Sequence, residues 1–473
     1  MAGLRITTRT GGEAVLDKAA VDKFRAGLRG AMVTPGDAAY DETRTIWNAI
    51  IDRQPALIVR CAGVSDVMQS VRLAREHDLL LAVRGGGHNV AGKSVGEGSL
   101  MIDLSPMSGI RVDPVGRTCR VEAGATLADM DHETQTFGLA TPLGINSTTG
   151  VAGLTLGGGL GWLSRKYGLT VDNLIEADIV TAEGALVTAN ERDHADLFWG
   201  IRGGGGNFGV VTSFQFQLHP VGPQVLSGLI IHPLKDAEKL LQHYRSFTAQ
   251  APDDLACWVV MRQAPPLPFL PAAVHGTEVV VIAALYAGDM TEGERALQPL
   301  RAFGSPIADV IMPHPYAGFQ QAFDPLLTPS ARNYWRSHNF AELPDGLIST
   351  LIDYTNRLPG PQCEIFIFNL GGAVSRVDPQ ATAYAHRDAP YGLNAHARWN
   401  NPSQDEACIS WARQLSDAAG EFATGGVYVN FISEGEERVA AAYGVNYDRL
   451  VTLKNKYDPT NLFCLNQNIK PTI

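Results

Sequence analysis

The sequence has no run of lysine or arginine, and its 49 acidic residues outnumber 38 basic ones, for a net charge of −11. That balance excludes a broad nucleic-acid-binding face. Long hydrophobic stretches are missing too. The longest apolar run, Val279 to Ala287, is far too short to span a bilayer. Met1 to Lys23 carries no apolar core of a secretory signal, so a cytoplasmic location is expected. The six cysteines (Cys61, Cys119, Cys257, Cys363, Cys408, Cys464) are scattered, with no C-x-x-C pair. That weakens zinc and redox-dithiol readings and leaves free thiols and no metal site as the expectation. No internal repeat or low-complexity segment is present.

Glycine is abundant, 49 residues, and it is clustered, which points to loops built around a ligand rather than to a flexible linker. With 473 residues the chain has material for two or three domains of about 100–200 residues each. The stretch that organises the rest is Val83-Arg84-Gly85-Gly86-Gly87-His88-Asn89-Val90. It follows a short apolar run, Leu79 to Val83, which reads as a buried strand. Three glycines remove every Cβ from the loop, so backbone amides can approach a ligand closely. Arg84 adds a positive charge suited to a pyrophosphate, and His88 presents one imidazole.

Around this loop, Ala56 to Leu104 reads as strand, helix, strand, loop, strand, with Ser65 as the helix cap. Cys119 to Glu122 is strand-like, Leu127 to Phe137 is a helix stopped at Gly138, and Ile175–Ala182 with Leu186–Ala189 is a hairpin candidate. Val210 to Leu218 alternates as a strand. Beyond Pro220 glycines thin out. Strands are expected at Leu229–His232, Glu278–Ala287, Glu364–Leu370, Asn394–Trp399 and Val427–Phe431. Helices are expected at Asp236–Ala249, Glu292–Phe303 (with a Thr291/Glu294 capping box), Leu347–Arg357, after Ser403 and at Asn446–Tyr457. This is an α+β pattern, an antiparallel sheet with helices on one face.

Four separated motifs agree with one family. Arg84-Gly85-Gly86-Gly87-His88-Asn89 resembles the first flavin loop of the vanillyl-alcohol-oxidase-type FAD enzymes. Gly157-Gly158-Gly159-Leu160-Gly161-Trp162 through Leu169, followed by Asp172-Asn173, resembles the second loop of their berberine-bridge-enzyme-like branch. Trp199-Gly200-Ile201-Arg202-Gly203-Gly204-Gly205-Gly206-Asn207-Phe208-Gly209-Val210-Val211-Thr212 resembles the third. The segment from Asn446 to Phe463 is similar to the branch's terminal helix and flavin-covering tail. Within the branch the chain resembles bacterial 6-hydroxy-D-nicotine-oxidase-like members.

The resemblance implies an α+β fold in which two FAD-binding subdomains clasp an extended FAD and an antiparallel sheet with helices on one face carries the substrate. It implies an FAD-binding part at 1–220, a substrate part at 221–420 and a returning segment at 421–473. It implies one covalent link, from His88 to the 8α-methyl of FAD. A second link through cysteine, common in plant and fungal relatives, falls on Asn146 here and is not expected. Its loss implies a lower flavin potential and a more open substrate space. The FAD contacts implied are Arg84, Gly85, Gly86, Gly87, Asn89, Val90 and Ser94 in the first loop. Gly144, Asn146, Thr148, Thr149, Gly150, Gly153, Gly158 and Gly159 follow in the second, then Val210, Asn466 and Asn468. A nicotinamide-dinucleotide reading of Gly157-x-Gly159 fares worse, because no convincing strand precedes it and no acidic residue follows about 20 positions on in a βαβ setting.

Flavin oxidation needs a C–H bond aimed at the ring and a base for the adjoining O–H or N–H proton. Three candidates follow. Tyr428 matches a family strand whose second tyrosine is Phe431 here. Glu364 shares a strand face with Phe366 and Phe368, and His396 shares one with Asn394 and Arg398. Each has a structural alternative, a packed strand residue or a solvent-facing Glu. Tyr334, Trp335 and His338 read better as core or surface than as pocket. Thr149 lies where the family controls oxygen access. The implied activity is oxidation of a CH–OH or CH–NH group of a small organic substrate, with O2 as acceptor and H2O2 as product. The alternatives are a dehydrogenase with another acceptor and a catalytically silent flavin-binding protein.

Overall fold

The computed structural model describes residues 3–435 and 438–472. The Ala56 to Leu104 stretch forms the expected unit. Leu57–Arg60, Leu100–Asp103 and Leu81–Arg84 lie side by side in that order and run parallel, with Ala31–Val33 antiparallel at the outer edge. Helix Val64–Glu76 makes the crossover and buries Val67, Val71 and Ala74 against the sheet. Ser65 is not its cap. Asp66 in the first turn accepts from the backbone N–H groups of Ala62, Arg29 and Gly30 at 2.8–2.9 Å. The helix starts at Val64 with Gly63 at the cap position, and the two Asp66 oxygens instead satisfy three N–H groups of the adjoining loops.

A second sheet has five antiparallel strands in the order Leu186–Asn190, Leu174–Val180, Val210–Gln217, Thr118–Glu122 and Ile110–Asp113. The first two are the expected hairpin. Both sheets share one core, with Val59 and Ile102 in the same buried cluster as Val121 and Phe214. The C-terminal helix Tyr447–Tyr457 joins this cluster through Leu450 and Leu453. Its Lys454, fully buried, pairs with Asp458 at 2.7 Å and donates to the carbonyl of Asn207 at 2.8 Å, tying the tail to the third Gly-rich loop.

The third sheet has eight antiparallel strands. Its main path runs Ala308–Asp309, Gln224–Pro233, Glu278–Tyr286, Leu255–Gln263, Glu364–Asn369, Tyr391–Trp399 and Arg332–Phe340; Met312–Pro315 also pairs with the second of these. Helices Ala237–Thr248, Met290–Arg301, Asp345–Thr355 and Asp405–Gly420 cover one face, burying Leu240, Leu297, Leu347 and Leu415 against Val259, Ile282, Ile365 and Ala395. Strand alternation turns the intervening residues to the opposite face.

Several local expectations are corrected. Leu255–Gln263 and Arg332–Phe340 are strands the sequence pattern does not signal. The first is buried along most of its length and barely alternates; the second carries its polar residues inward. Asp289, not a Thr291/Glu294 box, caps its helix by accepting from Thr291 N–H at 2.9 Å. Asn401 and a 3-10 turn, Pro402–Gln404, precede the helix assigned to Ser403. The expected strand Val427–Phe431 is instead a 3-10 turn, Val429–Phe431, because the Tyr428 and Asn430 side chains bond to the second Gly-rich segment rather than leaving a free strand edge. No described helix is long and apolar enough to cross a membrane.

The turn containing His386 and Arg387 is locked by a bidentate pair. Both Arg387 amines donate to Asp172 at 2.7 Å, and the side chains are only 1% and 9% exposed. Removing one partner strands a buried charge. Arg387→Leu should therefore lower unfolding stability by about 3–5 kcal/mol in denaturant melts, and the double change with Asp172→Leu should recover much of it.

Candidate active site

A cavity of about 380 Å³ separates the Gly-rich loops from the helix-free face of the third sheet. The His88 loop forms its floor, leaving the C-terminal end of the parallel strand Leu81–Arg84. Its glycines are required by crowding. A Cβ on Gly86 would strike the backbone nitrogen of Gly150, and one on Gly150 would strike Gly86, so the first two loops meet backbone to backbone. Gly87 has φ +70, in the left-handed region.

Burial, reinforced by the Arg398 cation, pushes the His88 imidazole down to about 3, so the ring is neutral at physiological pH. Trp47 stacks on it at 4.8 Å. Nε2 lies 2.8 Å from Thr148 Oγ1, whose single proton goes to Asn146 Oδ1 at 2.7 Å. Nε2–H is therefore the donor to Thr148, and Nδ1 keeps its lone pair.

Of the cofactor contacts expected from sequence, the cavity wall contains Gly85, Gly86, Gly87, His88, Asn89, Ser94, Gly144, Asn146, Thr149, Gly150, Gly153, Val210 and Asn466. Six expected contacts stand behind it. Arg84 is corrected most clearly. Val83 and Gly85 face the cavity, so strand alternation turns Arg84 away, and its guanidinium pairs with fully buried Asp103 at 2.9 Å. Lys93 is the lysine on the wall, and burial lowers its ammonium. Val90 is core, its carbonyl accepting from Asn48. Thr148 reaches the site through His88 and Asn146. Gly158 and Gly159 serve the loop's own turn, with φ of +118 and +74, while Gly157 takes the wall. Gln467 lines the cavity where Asn468 was expected.

The roof carries Glu364 and His396, neighbours across two strands, and a residue the sequence reading missed, Arg262. Arg262 Nη1 donates to Glu364 Oε2 at 2.7 Å, and His396 Nδ1 lies 3.0 Å from Glu364 Oε1. Burial alone would raise the Glu364 carboxyl, but Arg262, His396 and Arg398 outweigh it and hold the carboxyl down to about 2. His396 Nε2 is 3.2 Å from Asn333 Oδ1, an oxygen whose orientation is set by the Asn333 amide donating to Ala331. Trp335, expected in the core or on the surface, also lines the cavity, edge-on to Trp47, His396 and Phe431; Tyr334 and His338 do not. Tyr428 lines the cavity, but its oxygen accepts from Gly159 N–H at 3.1 Å and from Asn430 Nδ2 at 3.0 Å. Burial pushes its phenol up to about 12 against these two hydrogen bonds. A phenol so placed holds the loop and is a poor proton acceptor.

A family model described as "FAD binding domain" matches residues 55–190, and one described as "Berberine and berberine like" matches 427–470. An FAD-linked oxidoreductase of Dictyostelium discoideum is 33% identical over 458 residues, 95% of this chain and 97% of that protein. The chain belongs to the berberine-bridge-enzyme-like FAD-linked oxidoreductases. The structure of 6-hydroxy-D-nicotine oxidase from Arthrobacter nicotinovorans is similar with a TM-score of 0.84 and 29% identity, covering 94% of this chain and 98% of that one. Berberine-bridge-enzyme-like protein 1 of Physcomitrella patens superposes with a TM-score of 0.85 at 25% identity, covering 93% and 97%. The chain is therefore an FAD-linked oxidoreductase, and its cavity fits the cofactor. A Cβ on Gly153 would meet nothing within 4 Å, so that wall is open to a flat ring. Ser94 Oγ and Asn466 Oδ1 are buried on wall residues without a hydrogen-bond partner.

Proposed function

We propose that this FAD-linked oxidoreductase is an oxidase. It oxidises a CH–OH or CH–NH group of a small organic molecule and returns the electrons to dioxygen as hydrogen peroxide. The observation that carries the reading is one cavity with the His88 loop as floor and the Arg262–Glu364–His396 row as roof. FAD bound there supplies the two-electron acceptor. The chain is read as an FAD-binding part at 1–220 with 421–473, around a substrate part at 221–420.

His88 is the proposed covalent anchor, through Nδ1, the ring nitrogen left with a lone pair by the Asn146–Thr148 hydrogen bonds. The link is single: no cysteine among the described residues lines the cavity. The Glu364–His396 pair takes the substrate's O–H or N–H proton. With Nδ1–H donated to Glu364, Nε2 of His396 receives the proton once the substrate's O–H or N–H takes the place of its 3.2 Å contact with Asn333 Oδ1. Glu364 offsets the new charge. Tyr428 is a positioning residue for the second Gly-rich segment. Thr149, small and on the wall beside His88, leaves oxygen a path.

Stopped-flow reoxidation tests the choice of acceptor. The reduced enzyme should react with dissolved oxygen faster than with a quinone. Slow oxygen reaction with fast quinone reaction would make the enzyme a dehydrogenase.

A further inference from the structure

The cavity roof is chemically divided. Its cross-strand partners form rows. One row runs Val279, Arg262, Glu364, His396, Trp335. The next runs Ile231, Val281, Val260, Phe366, Asn394. A third opens with Leu229, Ala283 and Trp258. The ionic groups occupy the middle of a single row, and toward the Gln224–Pro233 strand the roof is aliphatic. The proline-rich loop at 265–271 closes that side. Its Leu270 packs in one cluster with Ile231, Val279 and Val281, and its Phe269 stands 40% exposed beside the cavity wall formed by Pro265 and Leu267.

The ionic groups have little capacity left for a ligand rich in hydroxyls. The two oxygens of Glu364 already accept from Arg262 and His396, and the second nitrogen of His396, beside Asn333, serves the one reacting group. Among the described cavity residues on the strands of this sheet, the buried polar side-chain atoms without a partner are Asn394 Oδ1 and Trp335 Nε1. They are one acceptor and one donor, the complement of a single hydroxyl or amine. A sugar would bury many hydroxyls against aliphatic side chains, and each one left unpaired costs about five- to hundredfold in affinity.

We propose that the substrate class is an apolar secondary alcohol or amine. Its one CH–OH or CH–NH group sits beside Asn394, Trp335 and His396. Its hydrocarbon body runs along Leu229, Ile231, Val260 and Val281 beneath the proline-rich loop. This rests on the oxidase reading above.

The test is a titration of the holoenzyme with 2-butanol, 2-hexanol, 2-octanol, the matching 2-amines and xylobiose. Binding is read from the perturbed flavin absorbance and turnover from anaerobic flavin bleaching. Affinity should tighten about fourfold per added methylene. Ile231→Asn and Val281→Thr should flatten that dependence, and xylobiose should leave the spectrum unchanged. Affinity independent of chain length, or xylobiose binding more tightly than 2-octanol, would overturn the proposal. Length-dependent binding without bleaching would uphold the substrate-binding arm and sink the oxidase reading instead. If either variant loses its flavin, the wild-type series still decides.

Discussion

Acid-precipitated wild-type protein is expected to hold its yellow colour in the pellet, whereas His88→Ala should release all of it to the supernatant. The His88 ring is kept neutral by burial and oriented by Thr148, so its Nδ1 lone pair is available at physiological pH. Thr148→Val separates anchor from orientation. It keeps His88 but removes the acceptor that selects the Nε2–H tautomer, so covalent flavin should accumulate several-fold more slowly, read as in-gel fluorescence against incubation time. Colour in the wild-type supernatant would remove the covalent link and leave the FAD fold standing. Colour still in the His88→Ala pellet would move the anchor to another residue.

Glu364→Gln and His396→Gln should each cut kcat by about 10²–10⁴ while the flavin spectrum stays intact, because each breaks the pair that takes the substrate proton. Glu364, held at about 2, lies below the ordinary carboxylate value of 4.5. It is ionised throughout the working range, and its titration does not shape the rate profile above about pH 5. The same depression makes its ion pairs contribute stability above the ordinary value, a contribution lost as the pH falls toward 2. Tyr428→Phe keeps the buried ring and loses the hydrogen bonds from Gly159 and Asn430, so its kcat should fall less than about tenfold. If Tyr428→Phe abolished turnover and Glu364→Gln did not, the base would be Tyr428.

Much of this site was legible before any coordinates. His88, the crowded glycines 85–87 and 150, Asn146 and Asn466 were singled out from the motifs, and the structure brings them to one cavity. Local chemistry makes such loops readable. A backbone that must pass another backbone at Gly86 and Gly150 excludes a Cβ, and that demand appears directly as glycine. Arg84 was misread because a charge next to a glycine loop suggests an anion, whereas the neighbouring strand carries a fully buried Asp103 that claims it. Arg262 was missed because its strand is buried along most of its length and barely alternates, and Trp335 was set aside because its strand carries polar residues inward.

By itself the sequence determined the family, the glycine-rich loops and the imidazole proposed as the anchor, because these depend on consecutive residues and their backbone requirements. Only the tertiary structure decided the roof. Arg262 and Glu364 lie 102 positions apart, and Glu364 and His396 lie 32 apart. They become neighbours solely through the pairing register of three strands. A shift of one residue would turn each side chain to the helix-covered face, so the ionic row and its aliphatic flank exist only once the sheet has formed.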